Sequence, residues 1–147
     1  MVGYFYNPNI HPEEEYLRRL EAARKVADFF EVPLLEDEYN PEDWWKEIQG
    51  WEEEPEGGKR CEICFRLRLE RTFKKMKEEN IPLFTTTLTV SPHKKVTAIN
   101  RIGEEIGKEK FLVRIFRKQD GFKKAIEWAK KLSLYRQNYC GCLLSRR

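Results

Sequence analysis

Two cysteines three residues apart, Cys61 and Cys64, start a long amphipathic segment and constrain this chain more than any other feature. Residues at positions i and i+3 lie on one face of a helix, with Cα atoms roughly 5 Å apart. In a first helical turn, the unpaired N–H groups and the positive end of the dipole lower the pKa of a thiol. The thiolate is the form that binds metals and exchanges electrons, so this spacing predicts a metal or redox site at the start of a helix.

The other two cysteines, Cys140 and Cys142, flank Gly141 near the end of the sequence. They either complete a metal site or act as a redox dithiol of their own. A disulfide between them needs a sharp bend, which Gly141 makes less costly because it allows unusual backbone angles. We favour the redox dithiol, and we expect the two cysteine pairs to meet in one site.

Three interpretations of the pair Cys61 and Cys64 are open: a structural zinc site completed by the later pair, an iron–sulfur or other redox-metal site, and inert thiols. Compact zinc modules usually place their cysteine pairs about 15–20 residues apart. Here most of the chain lies between the two pairs. The spacing therefore favours the iron–sulfur or redox-metal site.

The length of 147 residues is enough for one domain with a buried core, and we expect residues 1–147 to form a single domain. The net charge of +3 permits a polyanionic partner without requiring one, since acidic and basic residues are interspersed. No apolar run approaches the roughly 20 residues of a membrane-spanning helix, and no signal peptide is visible. We expect a cytoplasmic protein with no membrane partner.

Alternating strand and helix patterns predict an α/β fold. Strands are predicted at residues 2–6, 32–35, 83–88 and 111–113, and helices at residues 12–30, 41–48, 61–76, 96–106 and from about Gly121. The order favours a three-layer Rossmann-like parallel sheet with helices on both faces, plus a helical C-terminal part. The first strand has little to pair with on one side, so we expect this domain to be N-terminally incomplete.

Several polar residues lie where substrates bind in such folds. Thr86, Thr87 and Ser91 end the predicted strand 83–88 just before a helix, a position suited to a phosphate or polar substrate. β-Propensity and helix capping explain these residues equally well. His11 lies in a turn between two prolines and is a further candidate. His93 belongs to a small basic cluster, which we expect to be a solvated face.

Arg136 is the candidate cation next to the second cysteine pair. It lies in a polar segment, where an apolar one would be expected if the segment only packed against the core. Tyr135 and Tyr139 flank this segment and are able to stack on a nucleobase. We therefore include Arg136 among the predicted substrate-binding residues.

Four ordered motifs closely resemble signatures of the QueH family of epoxyqueuosine reductases. They read FYNPNIHPEEEY at residues 5–16, GKRCEICFR at 58–66, FTTTLTVSPHK at 84–94 and LYRQNYCGC at 134–142. The resemblance spans almost the whole chain. It implies reduction of the epoxide of epoxyqueuosine at the tRNA wobble position to give queuosine, with an iron–sulfur centre and without cobalamin.

Carried over by position, the resemblance implies that Cys61 and Cys64 ligate a [4Fe–4S] cluster and that Cys140 and Cys142 form the redox-active pair. The implied partners are a tRNA carrying epoxyqueuosine and an electron donor that the sequence does not identify. An additional iron beside the cluster is left open. Iron can act as a Lewis acid on the epoxide oxygen.

One departure from the family pattern concerns the other two cluster ligands. Family members begin with a further strand that ends in an adjacent cysteine pair, and this sequence has no such pair. We expect a cluster held by Cys61 and Cys64 alone to be labile, unless Cys140 and Cys142 substitute for the other ligands.

Two other functions compete with this interpretation. A non-catalytic, zinc-stabilised module that binds tRNA or protein would contain zinc and show no visible chromophore. A nucleotide-dependent α/β enzyme that adenylates or thiolates tRNA would require a Gly-rich phosphate loop after a strand, and no such loop is visible.

Overall fold

The computed structural model describes residues 1–92 and 94–146 of the chain. His93, predicted to lie on a solvated basic face, falls outside the described residues. The fold divides into two compact units, which we call unit 1 (Met1–Lys46 and Glu127–Arg147) and unit 2 (Glu47–Ile126). Within the described residues, no helix is both long enough and apolar enough to span a membrane.

Unit 1 is built on a parallel pair of short strands joined by a helix. Strand β1 (Gly3–Phe5) pairs in parallel with β2 (Leu34–Glu36), and helix α1 (Glu13–Phe29) connects them. Acidic residues fill the first turn of α1, where they complement the positive end of the helix dipole. The predicted strand–helix–strand unit is therefore confirmed.

The core of unit 1 lies between α1 and the loop that precedes it. Tyr16 and Leu20 of α1 pack with Ile10, and Phe5 and Tyr39 pack against this cluster. The helix was predicted to extend to residue 30, but α1 ends at Phe29, and Phe30 is 47% exposed.

Unit 2 is organised around two helices, α3 (Lys59–Glu78) and α4 (Val96–Gly107). Earlier in the chain, the short helix α2 (Pro41–Glu47) belongs almost entirely to unit 1, and α5 (Gly121–Lys131) begins in unit 2 and ends in unit 1. These helices confirm the helices predicted from the sequence. The core of unit 2 is a cluster of buried apolar side chains: Phe65, Leu69, Met76, Phe84, Ile99, Ile102 and Phe111.

The predicted strand at 83–88 is wrong. In this segment only Phe84 pairs, in an isolated parallel bridge to Phe111, and the chain then enters a 3₁₀ turn at Leu88–Val90. Threonine side chains explain the difference, because their hydroxyls bond the backbone locally and compete with a strand ladder. The Oγ1 of Thr86 accepts the N–H of Leu88 at 3.2 Å.

The sheet formed by the described residues has two strands, β1 and β2. The mixed α/β class is therefore confirmed. The predicted strand at 111–113 reduces to the single bridge at Phe111. Around that bridge, the N–H of Phe84 bonds the carbonyl of Lys110 at 3.0 Å, and the N–H of Leu112 bonds the carbonyl of Phe84 at 2.8 Å.

Two glycines of α4 let the aromatic rings of the core touch the helix backbone. A Cβ added at Gly103 would lie 2.4 Å from the ring of Phe111, and one at Gly107 would lie 2.4 Å from the ring of Phe84. Such distances require the rings or the helix to shift. These glycines are therefore selected by close packing rather than by backbone conformation.

Replacing Gly103 with alanine should destabilise unit 2, because the added methyl group collides with Phe111. Overpacking of this kind costs about 1–3 kcal/mol, and the better helix propensity of alanine recovers about 1 kcal/mol at most. The measurement is urea unfolding followed by circular dichroism. Glu104→Ala, at an exposed position of the same helix, is the matched control and should leave the urea midpoint nearly unchanged. Equal midpoints for the two variants would contradict this packing account.

Candidate functional site

The first cysteine pair lies where the sequence predicts it, at the start of α3. Cys61 is in the first turn of the helix and half-buried, and Cys64 is buried one turn later. The backbone N–H of Gly57 donates a hydrogen bond to the Sγ of Cys61 at 3.2 Å. Such donors stabilise a thiolate or a metal-bound sulfur and tune its redox potential.

Arg60, which the sequence analysis missed, anchors the loop that supplies this N–H group. Its side chain is buried, and its Nη1 donates to the carbonyl of Glu52 at 3.2 Å and also to the carbonyl of Glu54. The loop then reaches Gly57, whose φ of +88° favours glycine. The sequence did contain a hint of this role. Arg60 directly precedes Cys61 and follows an acidic loop at residues 52–56.

The chemistry of this site fits part of an iron–sulfur centre. A [4Fe–4S] cluster takes four cysteine thiolates, and the face of α3 offers two, with a backbone N–H directed at one sulfur. Within residues 1–92 and 94–146, no three His, Cys, Asp or Glu side chains are grouped closely enough to hold a metal ion. A cluster at this site would take two of its four ligands from Cys61 and Cys64.

The second cysteine pair forms a turn in unit 1, and both residues are present as thiols. Cys142 is buried, with its Sγ 3.4 Å from the Oγ of Ser145. Between the cysteines, Gly141 adopts a φ of +148°, an angle that favours glycine, as the sequence predicts. A Cβ at Gly141 would also lie 3.0 Å from the Nη1 of Arg19 and 3.3 Å from the Cγ1 of Ile10.

Arg19 of α1 holds this turn by its backbone. Its Nη1 donates to the carbonyl of Cys140 at 2.6 Å, and its Nη2 donates to the carbonyl of Tyr139 at 2.9 Å. Its Nε donates to the Oε2 of Glu15 at 2.8 Å. The planar guanidinium thus binds a carboxylate on one edge and two carbonyls on the other. Arg19 lies on the polar side of a helical pattern, which explains why sequence reasoning missed it.

His11 holds the other side of the same turn. The N–H of His11 donates to the carbonyl of Gly141 at 2.8 Å, and the N–H of Leu143 donates to the Nδ1 of His11 at 3.3 Å. The Nε2 lies 3.0 Å from the carbonyl of Pro8 and donates to it. The ring is therefore the neutral tautomer with its proton on Nε2.

The ring of His11 is packed between indoles as well as hydrogen-bonded. It stacks on Trp45 at 5.2 Å and meets Trp44 edge to face at 5.1 Å, measured between ring centroids. Only 3% of the residue is exposed. Burial lowers the pKa of His11, and the hydrogen bond to the carbonyl of Pro8 offsets part of that effect.

Glu15 links α1 to the segment before the second cysteine pair. Its Oε1 accepts the hydroxyl of Tyr135 at 2.5 Å, and its Oε2 accepts the Nε of Arg19. Burial alone would raise the pKa of Glu15, but the hydrogen bonds from Tyr135 and Arg19 outweigh it and lower that pKa. Glu15 is therefore an ionised carboxylate that fixes two neighbouring side chains.

The predicted substrate-binding residues fall in two places. Thr86, Thr87 and Ser91 surround the 3₁₀ turn of unit 2, and the structure brings them together there. Thr87 is exposed, whereas the hydroxyl of Thr86 bonds its own backbone. Arg136 lies in unit 1 and is exposed. His11 also lies in unit 1.

Comparison with known proteins assigns the family. The family model described as "Epoxyqueuosine reductase QueH" matches residues 1–147. The chain belongs to the QueH family. It is 39% identical to the Epoxyqueuosine reductase QueH of Thermotoga maritima, over 97% of this chain and 77% of that protein.

Other relatives carry the same name. The Epoxyqueuosine reductase QueH of Streptococcus pyogenes is 39% identical over 95% of this chain and 58% of that protein. The protein from Haemophilus influenzae is 38% identical over 98% of this chain and 60% of that protein. The chain thus spans about three fifths to three quarters of the length of these three QueH proteins.

Replacing Arg19 with lysine should loosen the second cysteine turn of this QueH-family chain. An ammonium group keeps the charge, but it cannot satisfy two carbonyls and a carboxylate with the geometry of the guanidinium. Hydrogen bonds to charged groups contribute about 1.5–3 kcal/mol, so amide exchange at residues 139–143 should accelerate roughly tenfold or more. Hydrogen-exchange mass spectrometry measures this directly.

The matched control for that variant is Arg24→Lys, on the same helix. Arg24 is exposed and pairs with Glu36 at 2.7 Å, away from the cysteine turn. Exchange at residues 139–143 should be unchanged in this control. If Arg19→Lys also left that exchange unchanged, Arg19 would not be what holds the turn.

Acidification should destabilise unit 1 through His11. The pKa of His11 is lower in the folded protein than in the unfolded chain, so the unfolded chain binds more protons below its usual pKa of about 6.5. The contribution of neutral His11 is therefore complete above about pH 6.5 and declines as the pH falls toward the lowered folded pKa. Urea unfolding from pH 8 to 5 measures it, and His11→Gln should flatten the decline between about pH 6.5 and 5. If the free energy of unfolding of His11→Gln declined equally steeply with falling pH, other titratable groups would be the cause.

Proposed function

We propose that this chain reduces epoxyqueuosine to queuosine at the wobble position of tRNA. An iron–sulfur cluster bound by Cys61 and Cys64 and a redox-active pair formed by Cys140 and Cys142 would serve that reaction. The observation that supports this most strongly is the match of the QueH family across all 147 residues. The substrate is a tRNA carrying epoxyqueuosine, and the electron donor is a cellular reductant.

The redox balance of the reaction suits a dithiol. Removal of the epoxide oxygen as water consumes two electrons and two protons. Oxidation of Cys140 and Cys142 from two thiols to one disulfide releases two electrons and two protons. The external reductant then restores the thiols by thiol–disulfide exchange. A bound cluster at Cys61 and Cys64 would pass electrons one at a time.

The residues of unit 1 prepare that dithiol. Gly141 supplies the bend between the cysteines, Arg19 holds the carbonyl of Cys140, and His11 bonds the chain on both sides of Cys142. His11 was predicted to bind substrate, and its buried ring with both nitrogens on backbone groups fits a positioning role within the same proposal.

The residues of unit 2 prepare the metal-binding thiols. Gly57 directs its N–H at the sulfur of Cys61, and Arg60 fixes the loop that contains Gly57. We place Thr86, Thr87 and Ser91 as candidate contacts to the substrate, because the exposed hydroxyl of Thr87 and its neighbours cluster at one turn. Arg136 is the candidate cation in unit 1. We also propose that an additional iron binds beside the cluster.

We propose that residues 1–147 form one domain with the three layers of a Rossmann-like sheet, in a cytoplasmic protein. Its support is the parallel pairing of β1 and β2 across the helical connection α1, which is the building unit of such sheets. The parallel bridge between Phe84 and Phe111 is compatible with further parallel pairing.

Replacing Cys61 with serine tests the proposal. The 147-residue chain, purified without oxygen, should contain iron and sulfide and absorb visible light, and it should reduce epoxyqueuosine in tRNA. Cys61→Ser should lose the iron, the absorbance and the reduction together, because a serine hydroxyl is a poor ligand for iron–sulfur clusters. Ile63→Val, between the two cysteines, is the matched control and should retain all three.

Cys140→Ser separates the roles of the two pairs. It should lose the reduction, since a single thiol cannot form the disulfide. Retained iron and absorbance would show that Cys140 is not a cluster ligand. Iron loss in Cys140→Ser would instead make Cys140 a metal ligand. A colourless chain containing zinc, with no effect of Cys140→Ser on tRNA binding, would replace the reductase by a zinc-stabilised binding module.

A further inference from the structure

Beside the second cysteine turn, unit 1 contains an open cavity of about 390 Å³. Its walls include Glu15, Arg18, Tyr135, Asn138, Tyr139 and Arg146. A volume of this size falls in the range of small-molecule sites. The walls contain guanidinium, phenol and amide groups and the carboxylates of Glu14 and Glu15, which do not suit an apolar ligand. The reduction chemistry proposed above assigns no role to this cavity.

The two tyrosines in the cavity wall are held rigidly by their hydroxyl groups. The hydroxyl of Tyr135 donates to Glu15 at 2.5 Å, and the hydroxyl of Tyr139 donates to the carbonyl of His11. Because these bonds fix the tips of the side chains, the rings are oriented before any ligand arrives. Tyr135 is 39% exposed and therefore offers a ring face to solvent. Fixed, accessible rings are the stacking platforms used for nucleobases.

Some charged groups in and next to the cavity already pair with each other, and others can contact a ligand. Arg19 and Glu15 bond each other, and Arg19 also bonds the cysteine turn, so their charges are already matched. Arg18 reaches Glu15 only at 3.7 Å and lies over the ring of Tyr135 at 5.9 Å. Arg146 lies over the ring of Tyr139 at 5.7 Å. Arg18 and Arg146 are thus two cations of the wall, beside the exposed carboxylate of Glu14, and together they favour an anion.

Phosphate beside an aromatic face is the chemistry of a nucleotide. A free anion would need the cations but not the oriented rings, and an uncharged aromatic ligand would need the rings but not the cations. The amide of Asn138 adds both a donor and an acceptor, which can meet the edge of a base. All three features together therefore favour a nucleotide.

We propose that this cavity binds one unpaired nucleotide of an RNA loop, with the base against Tyr135 and a phosphate between Arg18 and Arg146. The inference rests on the proposed function, since it assigns the cavity to the tRNA substrate, in a nucleotide that is not itself reduced. It places an anchoring contact for the RNA next to the turn of Cys140 and Cys142.

The test measures the affinity of the 147-residue chain for a fluorescently labelled anticodon stem–loop RNA by anisotropy at several salt concentrations. Tyr135→Leu should weaken binding about fivefold or more, because base stacking on an aromatic ring is lost. Arg18→Gln should also weaken binding and lower the salt dependence by about one unit of log–log slope, because one phosphate contact is lost. The same RNA annealed to its complement should show much smaller effects.

Two control variants keep the test specific. Tyr135→Phe removes the bond to Glu15 but keeps the ring, so its affinity should fall less than that of Tyr135→Leu. Arg24→Gln removes the same charge from the same helix outside the cavity, and its salt dependence should stay the same. Circular dichroism of each variant confirms folding.

Unchanged affinity in Tyr135→Leu and Arg18→Gln would overturn the cavity proposal, as would equal losses in Arg18→Gln and Arg24→Gln. Absence of RNA binding by the unchanged chain would overturn it too. These outcomes leave the iron content and the Cys61→Ser result untouched, so failure of this inference is distinguishable from failure of the reductase proposal. Conversely, if the chain bound RNA through the cavity but did not reduce epoxyqueuosine, the reductase proposal would fail and the cavity proposal would stand.

Discussion

The bonds of Arg19 are the constraint on which the geometry of unit 1 depends. One guanidinium bonds the carboxylate of Glu15 and the carbonyls of Tyr139 and Cys140, so α1 and the end of the chain are fixed by a single side chain. Only arginine presents five N–H donors in a planar fork that can serve three acceptors at once. A Cβ at Gly141 would lie only 3.0 Å from the Nη1 of Arg19, and the φ of +148° also favours glycine between the cysteines.

His11 depends on the same arrangement and adds a chemical condition to it. Its Nδ1 accepts the N–H of Leu143, which is possible only while the ring is neutral. A proton on Nδ1 would point at the N–H of Leu143, so two donors would face each other. The ring stacks on Trp45 and is largely removed from water, so its charge would also be poorly solvated. The cysteine turn is therefore held by an arginine that stays charged and a histidine that has to stay uncharged.

How much the sequence predicts depends on whether the interaction is local. The helix that starts at Cys61, the parallel unit around α1 and the bend at Gly141 follow from spacing, periodicity and glycine, and the structure contains all three. Arg19 could not be found, because the carbonyls of the cysteine turn that it bonds leave no mark on the sequence. Arg60 also bonds backbone carbonyls, and only its position directly before Cys61 gave a signal.

The segment at 83–88 illustrates the opposite error. Its threonines have high β-propensity, which indicated a strand, but a hydroxyl can also bond a nearby N–H and bend the chain into a turn. Thr86 does so locally, and the buried Oγ1 of Thr89 accepts the N–H of Phe116 at 3.1 Å. Composition alone cannot tell these two uses of threonine apart, because the choice depends on a distant donor.

The first cysteine pair is held by local contacts and the second by long-range contacts, and this difference suits the roles proposed for them. The sulfur of Cys61 is bonded by a residue four positions earlier, on a helix that fixes its own spacing to Cys64. A metal site gains from such local rigidity, because its ligand geometry then exists before the metal binds. Cys140 is instead held by Arg19, a residue 121 positions away, through a hydrogen bond to its carbonyl. Because this bond is made to the backbone, it fixes the turn independently of the sulfur.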